Sequence, residues 1–190
     1  MKLAKKLIII GIIIILIFSL IKALNLQNII LKQIYPLEHT EYVEKYAKQF
    51  GVDPYYIYSI IKAESNYDSQ AGSIKGAKGL MQLLPSTATE IASELEIQIT
   101  EEELYTPELN IMLGTKYFAN LMQAYQNEML ALASYNAGPG NVAKWITEGI
   151  IKKDGTDIEN IPYKETNMYV RKIIRNYKIY QDLYEKEPSL

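Results

Sequence analysis

The stretch Asp53-Pro54-Tyr55-Tyr56-Ile57-Tyr58-Ser59-Ile60-Ile61-Lys62-Ala63-Glu64 reads as one helix with a defined start and an unusual end. Asp53 suits an N-cap, and Pro54 suits the first helical position, where an N–H is not needed. Ile57, Ile60, Ile61 and Glu64 fall at i, i+3, i+4 and i+7, the spacing that turns one helical face inward. Glu64 therefore shares the buried face. Desolvation there favours the neutral carboxyl and raises its pKa. A carboxylic acid still protonated near neutral pH can serve as a general acid. The plainer alternative is a helix-end glutamate that bends out to water.

Outward from this helix the pattern stays helical. Thr40 can cap a helix that Gly51 stops near Phe50. Residues 65–79 are loop-like, punctuated by Gly72, Gly76 and Gly79. Pro85 opens a helix to about Leu95, and Thr106-Pro107 repeats the cap-plus-proline start. Residues 128–137 form a short apolar helix ended by Gly138, and Pro139 to Ile146 suits another. Thr166 can cap a last helix with Tyr169, Ile173, Tyr177 and Tyr180 on one stripe. No segment sustains strand alternation. The expectation is an all-α fold with one domain at 38–187, a linker at 27–37, and a basic head and apolar segment at 1–26.

That apolar segment runs Leu7 to Ile21 without a charge. Fifteen helical residues span about 22 Å, short of a hydrocarbon core of about 30 Å. Ala23, Leu24 and Leu26 extend it if Lys22 snorkels, giving a membrane contact through residues 7–26. Lys2, Lys5 and Lys6 hold the N-terminus inside, so the domain lies outside a single-pass anchor, at the cell wall or in the periplasm. A cleaved signal peptide has a similar head and apolar run. Ile21-Lys22-Ala23 is a poor cleavage site, which favours the anchor.

Composition narrows the chemistry. The 190 residues contain no cysteine and one histidine, His39. Thiolate metal sites and a cysteine nucleophile are excluded, and a multi-histidine zinc site or a serine–histidine triad is disfavoured. No metal and no cofactor are implied. Residues 27–190 hold 16 basic and 22 acidic side chains, which argues against a nucleic-acid partner.

Four further stretches occur in order: Glu64-Ser65; Gly76-Ala77-Lys78-Gly79-Leu80-Met81-Gln82; Ala133-Ser134-Tyr135-Asn136-Ala137-Gly138; and Ile161-Pro162-Tyr163-Lys164-Glu165-Thr166. Any one alone is a weak signal. Together, over residues 55–180, the chain resembles the soluble-lytic-transglycosylase type of peptidoglycan lytic transglycosylase, a lysozyme-like family. The resemblance makes Glu64 the catalytic acid. It makes Ser73, Met81, Gln82, Tyr135, Asn136, Glu165 and Tyr169 substrate contacts, with Glu165 a groove acid rather than a catalyst. Four positions depart from the family's usual residues: Ser69, Leu84, Ser134 and Tyr163.

Read without that resemblance, several of these residues keep structural alternatives. Gly76 and Gly79 can serve only to permit positive φ. Gln82 can tie down backbone, and Tyr135 can be a core residue bonded to a carbonyl. Glu165 can be an ordinary first-turn acid.

The resemblance implies a reaction on peptidoglycan glycan strands that needs one acid. Glu64 protonates the oxygen leaving N-acetylmuramic acid. The substrate's N-acetyl group supports the electron-poor carbon. Glu64 then deprotonates the sugar's 6-hydroxyl, which closes a 1,6-anhydro ring. The alternatives are a hydrolytic muramidase, an inactive glycan-binding scaffold, and an assembly protein. The sequence names no protein partner.

Overall fold

A computed structural model of the protein describes residues 2–23 and 26–185. It divides into two units, residues 37–182 and residues 1–36 with 183–190.

In the smaller unit, helix α1 spans Lys2–Ala23 and α2 spans Leu26–Ile34. Twenty-two residues make α1 about 33 Å long. The window Leu3–Lys22 is apolar, outward-facing and long enough to cross a membrane, features a signal sequence shares. The expected linker at 27–37 is therefore largely helical. Within this unit Tyr184 Oη donates to the Tyr35 carbonyl at 2.8 Å, and Lys32 Nζ lies 5.0 Å from the Tyr184 ring centroid.

The larger unit is all helix and loop among the described residues, apart from two isolated bridges, Gly72 with Lys78 and Lys78 with Leu83. Its helices are α3 (Thr40–Phe50), α4 (Pro54–Glu64), α5 (Pro85–Glu94), α6 (Pro107–Tyr125), α7 (Glu128–Ala137), α8 (Pro139–Thr147) and α9 (Lys164–Tyr180).

Helix α4 starts as its sequence dictates: the Asp53 side chain accepts from Tyr55 N at 2.8 Å, and Pro54 follows. Ile57, Tyr58, Ser59, Ile60 and Ile61 are all buried, so α4 is enclosed on every side rather than on one stripe. It packs against α9 and α3, while α6 packs against α3, α5 and α7. Ser59 tolerates burial because its hydroxyl donates to the Tyr55 carbonyl at 2.6 Å.

Two expected caps differ. His39, in the left-handed region at φ 56°, holds the N-cap position of α3, and Thr40 Oγ1 donates to the Leu37 carbonyl. Helix α9 begins at Lys164, so Thr166 lies inside its first turn, buried, and donates to Asn136 Oδ1 at 2.7 Å. A tertiary acceptor outcompetes the cap.

Candidate active site

Glu64 is the last residue of α4, and the chain turns sharply after it. Asn66 and Tyr67 both take positive φ, 52° and 70°. Ser65 fixes the exit by donating to the Leu80 carbonyl at 2.8 Å, which ties the end of α4 to the glycine-rich loop. The carboxyl therefore sits on a rigid element that faces a groove.

Two clefts meet at Glu64. One, of about 730 Å³, is lined by Glu64, Asn136, Glu165, Tyr169 and the outer face of α9. The other, of about 350 Å³, is lined by Glu64, Ser73, Gln82, Tyr135, Asn136 and Glu165. It continues into a third of about 210 Å³, which shares Gln82, Tyr135 and Asn136. Glu64, Asn136 and Glu165 form the junction. A separate cleft around Phe50, Asp53 and Lys116 holds no free acid, because Asp53 accepts from Tyr55 N and Tyr177 Oη.

Burial pushes the Glu64 carboxyl up to about 7. Tyr169 and the positive charge of Lys172 pull it back down, and the charge of Glu165 pushes it up. The Tyr169 hydroxyl is buried without a partner in full hydrogen-bond geometry, so its contact with Glu64 is looser than a complete hydrogen bond. Lys172 Nζ donates to the Ala63 carbonyl at 2.9 Å, which fixes its charge beside the end of α4.

The loop that forms the opposite wall is held by an internal scaffold. Asn110, fully buried on α6, accepts from Met81 N at 2.7 Å and donates to the Lys78 and Leu104 carbonyls at 3.0 and 2.7 Å. A Cβ on Gly79 would collide with the Leu104 carbonyl and the Asn110 amide, and φ there is 75°. Close approach is thus the reason for Gly79, though to protein rather than to a ligand. Gly76, at φ 82° with open space around it, serves the turn alone.

Gln82 Nε2 donates to the Ala71 and Gly79 carbonyls, both at 3.0 Å. The tie-down alternative therefore describes its amide nitrogen, while the residue still lines two of the clefts. Ser73 Oγ accepts from Ala77 N at 3.0 Å and staples the turn that borders Glu64.

Tyr135 Oη donates to the Met81 carbonyl at 2.8 Å, so its proton goes to the loop rather than to Glu64. Met81 itself does not reach the groove: its side chain is fully buried against Gly114. Tyr169, on α9, is the tyrosine whose hydroxyl acts on Glu64. Glu165 stands exposed on the rim.

The structural roles of Asn110, Ser65 and Lys172 were not anticipated. Asn110 carried the same signal as Glu64, a polar residue one turn from apolar helix positions. Ser65 stood in the Glu64-Ser65 motif, which did not show its role, and Lys172 carried no signal, because their partners are main-chain carbonyls distant in sequence.

Removal of the Tyr169 hydroxyl takes away a group that favours the Glu64 carboxylate. Tyr169→Phe is expected to raise the Glu64 pKa and move the alkaline limb of the kcat/KM–pH profile to higher pH. The fold should be retained, since the hydroxyl has no full partner to lose. A limb that stays in place or moves to lower pH contradicts the contact.

The sequence profile of the Transglycosylase SLT domain matches residues 41–158. The chain is 30% identical over 164 residues to the soluble lytic murein transglycosylase of Escherichia coli, covering 84% of this chain and 25% of that protein. It is 34% identical over 113 residues to the membrane-bound lytic murein transglycosylase C of Actinobacillus pleuropneumoniae, covering 54% of this chain and 31% of that protein. Among solved structures it matches an inactive glutamate-to-glutamine mutant of the lytic transglycosylase Slt of Pseudomonas aeruginosa. The TM-score is 0.74 at 34% identity, over 83% of this chain and 26% of that one. The chain thus spans about a quarter of the length of its soluble relatives. By profile, identity and all-α architecture together, the chain belongs to the Transglycosylase SLT domain family.

Proposed function

We propose that this protein is a membrane-anchored lytic transglycosylase. It cleaves the β-1,4 bond between N-acetylmuramic acid and N-acetylglucosamine in peptidoglycan without water and leaves 1,6-anhydro-N-acetylmuramic acid ends. The observation that carries this reading is one carboxyl at a groove junction with a pKa near 7. A group balanced between its two protonation states can give a proton to the leaving oxygen and take one from the attacking 6-hydroxyl. Each exchange needs only one acid, and Glu165, open to solvent, is left as a substrate contact.

In this reading Glu64 is the catalytic residue. Gln82, Asn136 and Ser73 line the glycan path, and Tyr169 orients and tunes Glu64. Tyr135 acts through the loop it anchors. The catalytic domain is 38–187. Residues 1–26 form the cytoplasmic head and uncleaved anchor, which puts the domain on the extracytoplasmic side. The apolar helix at Leu3–Lys22 and the membrane-bound relative support that placement.

Digestion of purified peptidoglycan by the full chain tests the chemistry. Anhydro ends are expected, about 18 Da lighter than hydrolysed ends and resistant to borohydride reduction. Reducible, heavier ends would instead make the protein a hydrolytic muramidase.

A further inference from the structure

Helix α2, Leu26–Ile34, is nine residues long and buries none of its side chains. Leu26, Ile29, Ile30 and Ile34 are each between 37% and 54% exposed. At about 100° per residue these four fall within an arc of about 140°, with Gln33 among them and Leu31 at its border. Asn28 and Lys32 lie on the opposite side. Both are half-buried, and Lys32 Nζ stands 5.0 Å from the Tyr184 ring centroid. The protein thus partly covers the polar side of this helix and leaves its apolar side bare, the reverse of an ordinary surface helix.

Such a helix needs a surface to fold on. Isolated helices shorter than about 12–15 residues are marginal in water, and most helical stability comes from packing an apolar face. Nothing in the protein packs on this one.

We propose that α2 lies flat in the headgroup layer of the membrane, with Leu26, Ile29, Ile30 and Ile34 turned toward the acyl chains. The proposal rests on the reading of α1 as an anchor. A span of Leu3–Lys22 ends at the membrane surface, and the steps from Ala23 to Leu26 cover about 11 Å at most. The headgroup layer is itself about 5–8 Å deep on each side. Helix α2 therefore begins among headgroups, where lipid is the neighbour at hand and a protein partner would have to displace it. From Lys22 to Leu37 the chain has no acidic residue, and its cations, Lys22 and Lys32, suit anionic lipid.

The consequence is a short tether. As open chain, residues 27–37 would let the domain stray about 36 Å from its anchor. With α2 on the surface only Tyr35 to Leu37 remain, a reach of about 10 Å. Cleavage is then confined to glycan strands next to the membrane.

The chain has no cysteine, so single cysteines can be labelled without background. The test places an environment-sensitive fluorophore on Ile29→Cys, Ile30→Cys, Ile34→Cys, Asn28→Cys and Lys32→Cys of the full chain, in vesicles of phosphatidylethanolamine and phosphatidylglycerol. A nitroxide high on the acyl chains should quench the three isoleucine positions about threefold more than Asn28 and Lys32. Weak quenching at all five positions overturns the proposal, and so does strong quenching at all five, which would mean full immersion. Protection of the isoleucine positions from aqueous iodide without lipid quenching also overturns it, because a protein, such as a second copy, then covers the face. A label on Ile14→Cys, read with a nitroxide deep in the bilayer, reports α1 separately. If that label is not quenched the anchor reading fails, while the five α2 positions still decide the placement of α2.

A second arm reads the tether. A donor on Lys48→Cys transfers energy to acceptor lipids in the same vesicles. Adding Ile29→Ser, Ile30→Ser and Ile34→Ser should release α2 as open chain and raise the mean donor-to-surface distance by on the order of 10 Å. An unchanged distance overturns the short tether.

Discussion

Glu64→Gln is expected to abolish glycan cleavage while it leaves the domain folded and, above pH 7, more stable. Glutamine keeps the size of the side chain at the end of α4, so the packing of Ile57, Ile60 and Ile61 is undisturbed. What disappears is the exchangeable proton. A positioned general acid or base is typically worth about 10²–10⁴ in rate. Here both bond cleavage and ring closure pass through the same carboxyl, which places the loss at the upper end, about 10³–10⁴.

The stability effect has a definite sign. Burial raises the folded-state pKa of Glu64 above its ordinary 4.5, to about 7. The native state therefore holds its proton more tightly than the unfolded chain does. Between about pH 4.5 and 7 the wild type loses stability as pH rises, because ionisation is easier once the chain unfolds. Glutamine removes that penalty. The variant should match wild type near pH 4 and exceed it at pH 8 by an amount on the order of 3 kcal/mol. Thermal melts at the two pH values, run beside the digestion assay, separate loss of chemistry from loss of fold. Retention of more than a tenth of the activity would end the case for Glu64 as the catalyst.

The sequence exposed the parts of this protein that obey local rules. Proline and glycine punctuation located most helix boundaries, because those residues restrict the backbone wherever they occur. Glu64 was visible because a carboxylate stood on an isoleucine stripe. Tyr58 and Ser59 were not read as core, since periodicity identifies one buried face and α4 is surrounded by neighbours on all sides. Thr166 looked like a cap, yet its acceptor is Asn136, thirty residues earlier.

The groove followed the same division. The motifs grouped Gln82, Tyr135 and Asn136 near Glu64, and the clefts bring them together. They could not reveal that Met81 turns inward while its carbonyl accepts the hydrogen bond of the Tyr135 hydroxyl, because that depends on a pairing across fifty-four residues. The weight of Tyr169, the least emphasised of the candidates, emerges only when α9 is packed beside the end of α4.

Asn110→Ala is expected to produce the largest loss of stability of any substitution outside the apolar core, and to carry activity down with it. The side chain is fully buried and has one donor and two acceptors around it: Met81 N, and the carbonyls of Lys78 and Leu104. That set fixes the amide orientation, with oxygen toward the N–H and nitrogen toward the carbonyls. Alanine removes all three bonds at once. The Lys78 carbonyl keeps its bond from Leu83 N at 3.1 Å. Met81 N and the Leu104 carbonyl lose the side-chain partner that held them. At about 1–3 kcal/mol for each unsatisfied buried group, the total is about 4 kcal/mol. For a domain of this size that lowers Tm by about 10 °C.

The damage should also reach the chemistry. Residues 78–83 hold Gln82 against the groove, receive Tyr135 through the Met81 carbonyl, and receive Ser65 through the Leu80 carbonyl. A loosened loop displaces the wall opposite Glu64 and frees the exit of α4, so kcat/KM should fall more than tenfold at temperatures where the variant is still folded. Asn110→Asp separates hydrogen bonding from volume. Aspartate fits the same space and can still accept from Met81 N, but it would point an anionic oxygen at two carbonyls. It should therefore destabilise at least as much as alanine. A thermal melt of Asn110→Asp within 2 °C of wild type would show that this amide does not hold the loop.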